Sequence, residues 1–175
     1  MNRWGVLLLA ACAFGAAACD DDNGSPAAPS NAPLVFVADL RAANEVPAIT
    51  NAESGGTGTA TITLTPTRDA SNAITGGTFD FSFTVTGLTP TSNIILAHIH
   101  TGAAGSNGGV VVDSQLSAAT SIPTPAGSAG FSRTGLVPAS AATAAAIVAN
   151  PAGFYFNVHT TLNPGGVVRG QLRAQ

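Results

Sequence analysis

The sequence predicts an all-β domain, an antiparallel β-sandwich or barrel with one short inserted helix. Three observations carry that prediction. Thr57 to Thr65 and Thr78 to Thr86 alternate strictly between polar and apolar residues, as strands do when one face is buried and the other wet. About eight such runs follow one another, separated by breaks rich in Gly, Pro and Asn. Only Ala139 to Asn150 has the alanine-rich composition of a helix, and Pro151 stops it.

Taken in order, the chain opens on an export signal. Met1-Asn2-Arg3 supplies a positive start, and Trp4 to Ala18 is an apolar run too short to span a membrane comfortably. It ends in Ala16-Ala17-Ala18-Cys19, followed at once by Asp20-Asp21-Asp22. This resembles a bacterial lipoprotein signal, which implies that residues 1–18 are removed and that Cys19 is acylated. Ala16 stands where such boxes usually have leucine. Leu9-Ala10-Ala11-Cys12 fits the box better but leaves a shorter apolar core, and an ordinary secretory signal cut near Ala18 is the third option. With Cys19 lipidated, residues 19–33 form a polar, Pro/Ser/Asn-rich tether. The folded domain, 34–174, then contains no cysteine and depends on its core rather than on disulfides. The expected location is extracytoplasmic, on the periplasmic or cell-surface side, with the lipid as the membrane partner.

From Leu34 onward the period is two. Leu34 to Leu40 is a short apolar strand, and the break that follows contains Pro47, which holds Val46 extended. In the strand from Thr57 the threonines make one face, with Ala60, Ile62 and Leu64 on the other; Pro66 to Asn72 turns. In the next, Phe79, Phe81, Phe83 and Val85 point inward. Asn93 to His100 places Ile94, Leu96, His98 and His100 on one face and Ile95, Ala97 and Ile99 on the other. Thr101 to Gly109 is a glycine-rich loop, Val110 to Asp113 a short strand, Ser117 to Gly127 a loop, and Ala129 to Leu136 a weaker strand. Phe154 to Thr160, an Asn163-Pro164-Gly165-Gly166 turn and Val167 to Arg173 complete the domain.

Composition narrows the function. The chain has 175 residues, enough to bury a real core without staples. Only 9% are charged and lysine is absent, so the six arginines make no basic stripe and nucleic acid is not an expected partner. No nucleophile sits in a G-x-S-x-G elbow, and no carboxylate pair lies near an inferred pocket, so the expectation is a non-enzyme. The glycine-rich loop lacks the lysine and following helix of a phosphate loop.

All three histidines, His98, His100 and His159, lie in two strands. Side chains two apart on a strand share a face, with Cα atoms roughly 6.6 Å apart, so His98 and His100 project together. Three imidazoles suit zinc or copper with an open fourth position. The plainer reading has them hydrogen-bonded in a polar pocket that fixes strand ends. Glu45 and Arg169 read as an ion pair bridging a loop to a strand, or as a charged pair lining a ligand pocket near the histidines.

Four ordered motifs carry a family resemblance. They are Asn44-Glu45-Val46-Pro47, Ala97-His98-Ile99-His100-Thr101-Gly102, Asn107-Gly108-Gly109-Val110-Val111, and Asn157-Val158-His159-Thr160 with the Asn163 to Leu172 run NPGGVVRGQL. Together they resemble the CHRD domain, which repeats in chordin and occurs alone in exported microbial proteins. The resemblance implies an immunoglobulin-like barrel or sandwich, similar to Cu,Zn superoxide dismutase, with no settled biochemical activity. In that fold the two histidine strands can bring all three rings to one point. A dinuclear copper–zinc site needs further histidines and an aspartate, so ligand count excludes it here. The expectation is a surface-tethered, non-catalytic binding or structural module whose partner is a cell-surface protein or small ligand. The alternative is a mononuclear copper or zinc protein using His98, His100 and His159, with a metal-handling or redox role.

Overall fold

The computed structural model describes residues 30–175. The expected signal peptide 1–18, Cys12, Cys19 and residues 20–29 of the expected tether lie outside the described residues.

The chain forms β1 (Leu34–Arg41), β2 (Thr57–Arg68), β3 (Ile74–Thr86), β4 (Asn93–Thr101), β5 (Val110–Asp113), β6 (Ile122–Pro123) and β7 (Ala129–Leu136). These are followed by α1 (Ala142–Ala149), β8 (Phe154–Thr160), β9 (Val168–Gln171) and β10 (Arg173–Ala174). The strands lie in the order β5-β4-β8-β9-β1-β2-β3-β7, with β6 on β4 and β10 on β1. All pairings are antiparallel. A bridge between Val112 and Pro138 brings the two ends of this order together, and the sheet becomes a nearly closed barrel. Closure protects strand edges that would otherwise invite pairing with other chains.

The alternation in β2 and β3 fills this barrel. Ile62, Leu64, Phe79, Phe81 and Phe83 are buried inside, and the Phe81 ring meets Phe156 edge-on at 5.1 Å between centroids. On the outer face the threonines pair across strands, with Thr57 opposite Thr86 and Thr59 opposite Thr84. Their hydroxyls lie 3.3 and 3.5 Å apart. Such cross-strand pairs stabilise a sheet from its wet side.

Several expected boundaries move, each for a physical reason. Strand β2 runs on through Pro66 to Arg68. The partner strand β1 reaches only Leu64, so Pro66 has an open flank where its missing N–H costs no ladder bond. The turn shrinks to a loop in which Asp69 accepts from the backbone of Ser71 and Ala73. The helix starts at Ala142 rather than Ala139, because Pro138 and Ala139 serve barrel closure, the latter donating to Val111 O. Within Ser117 to Gly127 lie a 3-10 turn and the two-residue β6. The last strand divides at Leu172, whose N–H bonds Phe154 O before Arg173 crosses to Val37 on β1.

The face assignment in β4 also changes. Ile94 pairs with Thr160 and Leu96 with His159, so Ile95 is an extra residue opposite a single step of β8. This bulge resets the alternation. Ile94 joins Ala97 and Ile99 in the core, while Leu96 is only half-buried on the outer face with His98 and His100.

Candidate metal centre

The register of β4 on β8 assembles the site. His98 lies opposite Asn157, His100 opposite Tyr155 and Leu96 opposite His159. Ala97, Ile99, Phe156 and Val158 fill the barrel, so the histidines stand on its outer face. They are nevertheless less than a tenth exposed, because two loops fold over them. The Thr101–Gly109 loop brings Gly108 O to 3.0 Å from His100 Nδ1. The Asn163–Gly166 turn brings Pro164 O to 3.0 Å from His159 Nδ1.

One ring nitrogen from each histidine lies within 4.8 Å of the other two. A tetrahedral ion with bonds of about 2.1 Å holds its ligand nitrogens about 3.4 Å apart, so the widest pair needs to close by roughly 1.4 Å. A carbonyl oxygen only accepts, so His100 and His159 each carry their proton on Nδ1 and turn the Nε2 lone pair away from it. The His100 Nε2 atom is buried without a partner. Backbone carbonyls that fix the tautomer and ring orientation in this way are the usual outer support of metal-binding histidines.

His98 sharpens the case. Its Nδ1 lies 3.3 Å from His159 Nε2, and its Nε2 lies 3.5 Å from the Asp113 carboxylate. A neutral imidazole has one N–H and cannot satisfy both contacts. With the proton on Nδ1, the Nε2 lone pair faces a carboxylate. With it on Nε2, two lone pairs face each other at 3.3 Å. A second proton on His98 or a shared cation removes the conflict. Burial, the largest influence, holds the His98 pKa below the ordinary histidine value although Asp113 pulls it upward. Burial also lowers His100, and it takes His159 down to about 4 against the opposing Pro164 hydrogen bond. Burial therefore disfavours the charged form of all three rings.

Next to the histidines lies a second polar group. Glu45 follows a 3-10 turn after β1, and its Oε2 is 3.1 Å from Arg169 Nε on β9, with both side chains buried. Arg169 also donates to Ser106 O and Asn107 Oδ1 in the loop over His100. Its guanidinium lies over the Tyr155 ring, which stacks on His100. Burial raises the Glu45 carboxyl to about 7 despite Arg169. The pair thus joins the loop after β1, strand β9 and the loop over the histidines.

The CHRD domain model matches residues 36–172, most of the sequence. The chain belongs to the CHRD domain family. Neither a curated protein nor a solved structure matches it. Within this CHRD domain the four motifs meet in space. The Asn44–Pro47 segment carries Glu45, the β4 motif carries His98 and His100, and the glycine-rich loop supplies Gly108 O. The last motif supplies Asn157, His159, Pro164 O and Arg169.

Five participants were not singled out from the sequence. Asn157 shares a strand face with His159, two residues away, and that spacing could have marked it. Asp113 closes a short strand, but nothing local says that this strand lies beside β4. Glu53 is fully buried and accepts from Thr160 Oγ1 at 2.6 Å and Asn163 Nδ2 at 2.7 Å, anchoring the turn that holds His159. The carbonyls of Gly108 and Pro164 belong to segments judged to be plain turn and loop, and a backbone oxygen leaves no mark in residue identity.

Proposed function

We propose that this CHRD domain is an exported, lipid-tethered binding module whose ligand is a copper or zinc ion held by His98, His100 and His159. Membership of the family fits a binding or structural role. The reading rests on the His98 conflict: a buried neutral imidazole with acceptors on both sides is relieved by a cation among the three rings. The ligand atoms would be His98 Nδ1, His100 Nε2 and His159 Nε2, with Asp113, Gly108 O and Pro164 O orienting the rings. Three neutral imidazoles leave a fourth position open.

Metal analysis of protein purified without a histidine tag tests this. The wild type should retain one copper or zinc ion per chain after dialysis, and His159→Ala should lose it. Substoichiometric metal in the wild type, with binding no tighter than in the variant, would leave the histidines as a hydrogen-bonded pocket. The tether is tested separately. Cys19→Ala should move the protein from the membrane to the soluble fraction. Release by Cys12→Ala instead would place the lipid on the other cysteine.

A further inference from the structure

Among the described residues, five buried side-chain atoms lack a hydrogen-bond partner, and four belong to this one site. They are Glu45 Oε1, His100 Nε2, Asn157 Oδ1 and Arg169 Nε. Buried polar groups are normally satisfied, so such concentration marks a place built to meet something else. His100 Nε2 is accounted for as a ligand atom. Arg169 Nε already faces Glu45 Oε2. Two acceptors remain, a carboxylate oxygen and an amide oxygen, and three histidine ligands alone do nothing for them.

Asn157 adjoins the histidines, and Glu45 Oε1 adjoins Asn157. Asn157 sits directly opposite His98 and two residues from His159 on the same face of β8. Glu45 Oε1 lies close to it across the backbone of Gly166, where an added Cβ would fall 2.9 Å from Glu45 Oε1 and 3.0 Å from Asn157 Oδ1. The two oxygens are therefore within about 5.9 Å of each other, the sum of those distances. One water with two protons can bridge oxygens up to about 5.6 Å apart.

We propose that the fourth position of the ion carries a water that donates to Asn157 Oδ1 and Glu45 Oε1, so that these two residues select neutral, proton-donating ligands and exclude anions. This rests on the metal reading above and adds its ligand class. Water, hydroxylic molecules and similar neutral donors match two acceptors. A halide, azide or other anion offers no proton and, above pH 7 where Glu45 is ionised, meets its carboxylate. Arg169 does not reverse this preference, because its charge is paired with Glu45 and its outer nitrogens are taken by Ser106 O and Asn107 Oδ1.

The test uses the full, tag-free chain loaded with copper(II) and buffered above pH 7, where Glu45 is ionised. Pulsed electron paramagnetic resonance in H₂O and D₂O reports exchangeable protons on a copper-bound water, and azide titration followed by charge-transfer absorption reports anion entry. The wild type should show strongly coupled exchangeable protons, beyond the weak couplings of the ring N–H groups. Azide should bind Glu45→Gln at least about tenfold more tightly than wild type, since a nearby like charge is removed and Arg169 is left uncompensated. Asn157→Leu, which leaves the ion pair alone, should keep copper but weaken the exchangeable-proton signal. If Glu45→Gln fails to fold, the wild-type spectrum and Asn157→Leu still decide. Copper bound with only the weakly coupled exchangeable protons of the ring N–H groups, or equal azide affinity in wild type and Glu45→Gln, would overturn this proposal alone. A wild type that takes up no copper would remove the metal reading, and this one with it.

Discussion

The depressed His159 pKa makes a sharp prediction about the metal-free domain. In the unfolded chain this imidazole titrates at its ordinary value of 6.5, and in the fold at about 4, chiefly because burial penalises the charged ring. Between those values the unfolded chain binds the proton and the folded chain does not, so stability falls as pH falls. At about 1.4 kcal/mol per unit, His159 costs the fold roughly 2 kcal/mol by pH 5 and about 3 kcal/mol below pH 4. Glu45 acts in the opposite direction. Its folded value of about 7 lies above the ordinary 4.5, so acidification through that window stabilises the fold. A direct melt would therefore blur the two effects. The clean assay compares chelator-treated wild type with His159→Gln by urea unfolding from neutral pH to about pH 5, because Glu45 is common to both. The gap between them should shift by roughly 2 kcal/mol against the wild type as pH falls. A gap that stays constant would mean that His159 is free to protonate in the fold, and the buried-site argument would fail.

Three further outcomes are expected. Phe81→Ala should cost about 3–5 kcal/mol in urea unfolding, because the ring is fully buried and packed edge-on against Phe156; an equally stable variant would contradict the core described here. Gly166→Ala should destabilise by about 1–3 kcal/mol and weaken metal binding, since Gly166 has φ +129° and the new methyl would sit 2.7 Å from Asn157 Nδ2; calorimetry of the apo and loaded protein reads both. Asp113→Asn should lower metal affinity about tenfold, the low end of the usual range for an outer carboxylate on a ligand histidine, because Asp113 is more than half exposed and 3.5 Å from His98; unchanged affinity in a competition titration would show that Asp113 does not orient His98.

Much of the barrel was legible because strand alternation is a local property. The limits of β5, β7 and β8 coincide with the polarity pattern. So does the inward set Phe79, Phe81, Phe83 and Val85. The discrepancies occur where a neighbour decides. Pro66 remains in β2 because β1 ends before it. Ala139 leaves the helix because Val111 takes its N–H. Ile94 turns into the core because one extra residue at Ile95 is absorbed where β4 meets β8.

The site divides along the same line. That His98 and His100 share a face follows from the two-residue period of any strand, and the sequence alone determined it. Through the motifs of the CHRD domain it also pointed to His159 as their partner, and it left Glu45 and Arg169 open between a structural ion pair and a pocket near the histidines. Only the tertiary structure decided that β8 lies beside β4 in the register that sets His159 against Leu96 and Asn157 against His98. It alone placed Asp113 behind His98 and aimed the Gly108 and Pro164 carbonyls at the other two rings. Periodicity is written into successive residues. Strand neighbours, register and the direction of a backbone oxygen depend on how distant segments pack, and no single stretch of chain encodes them.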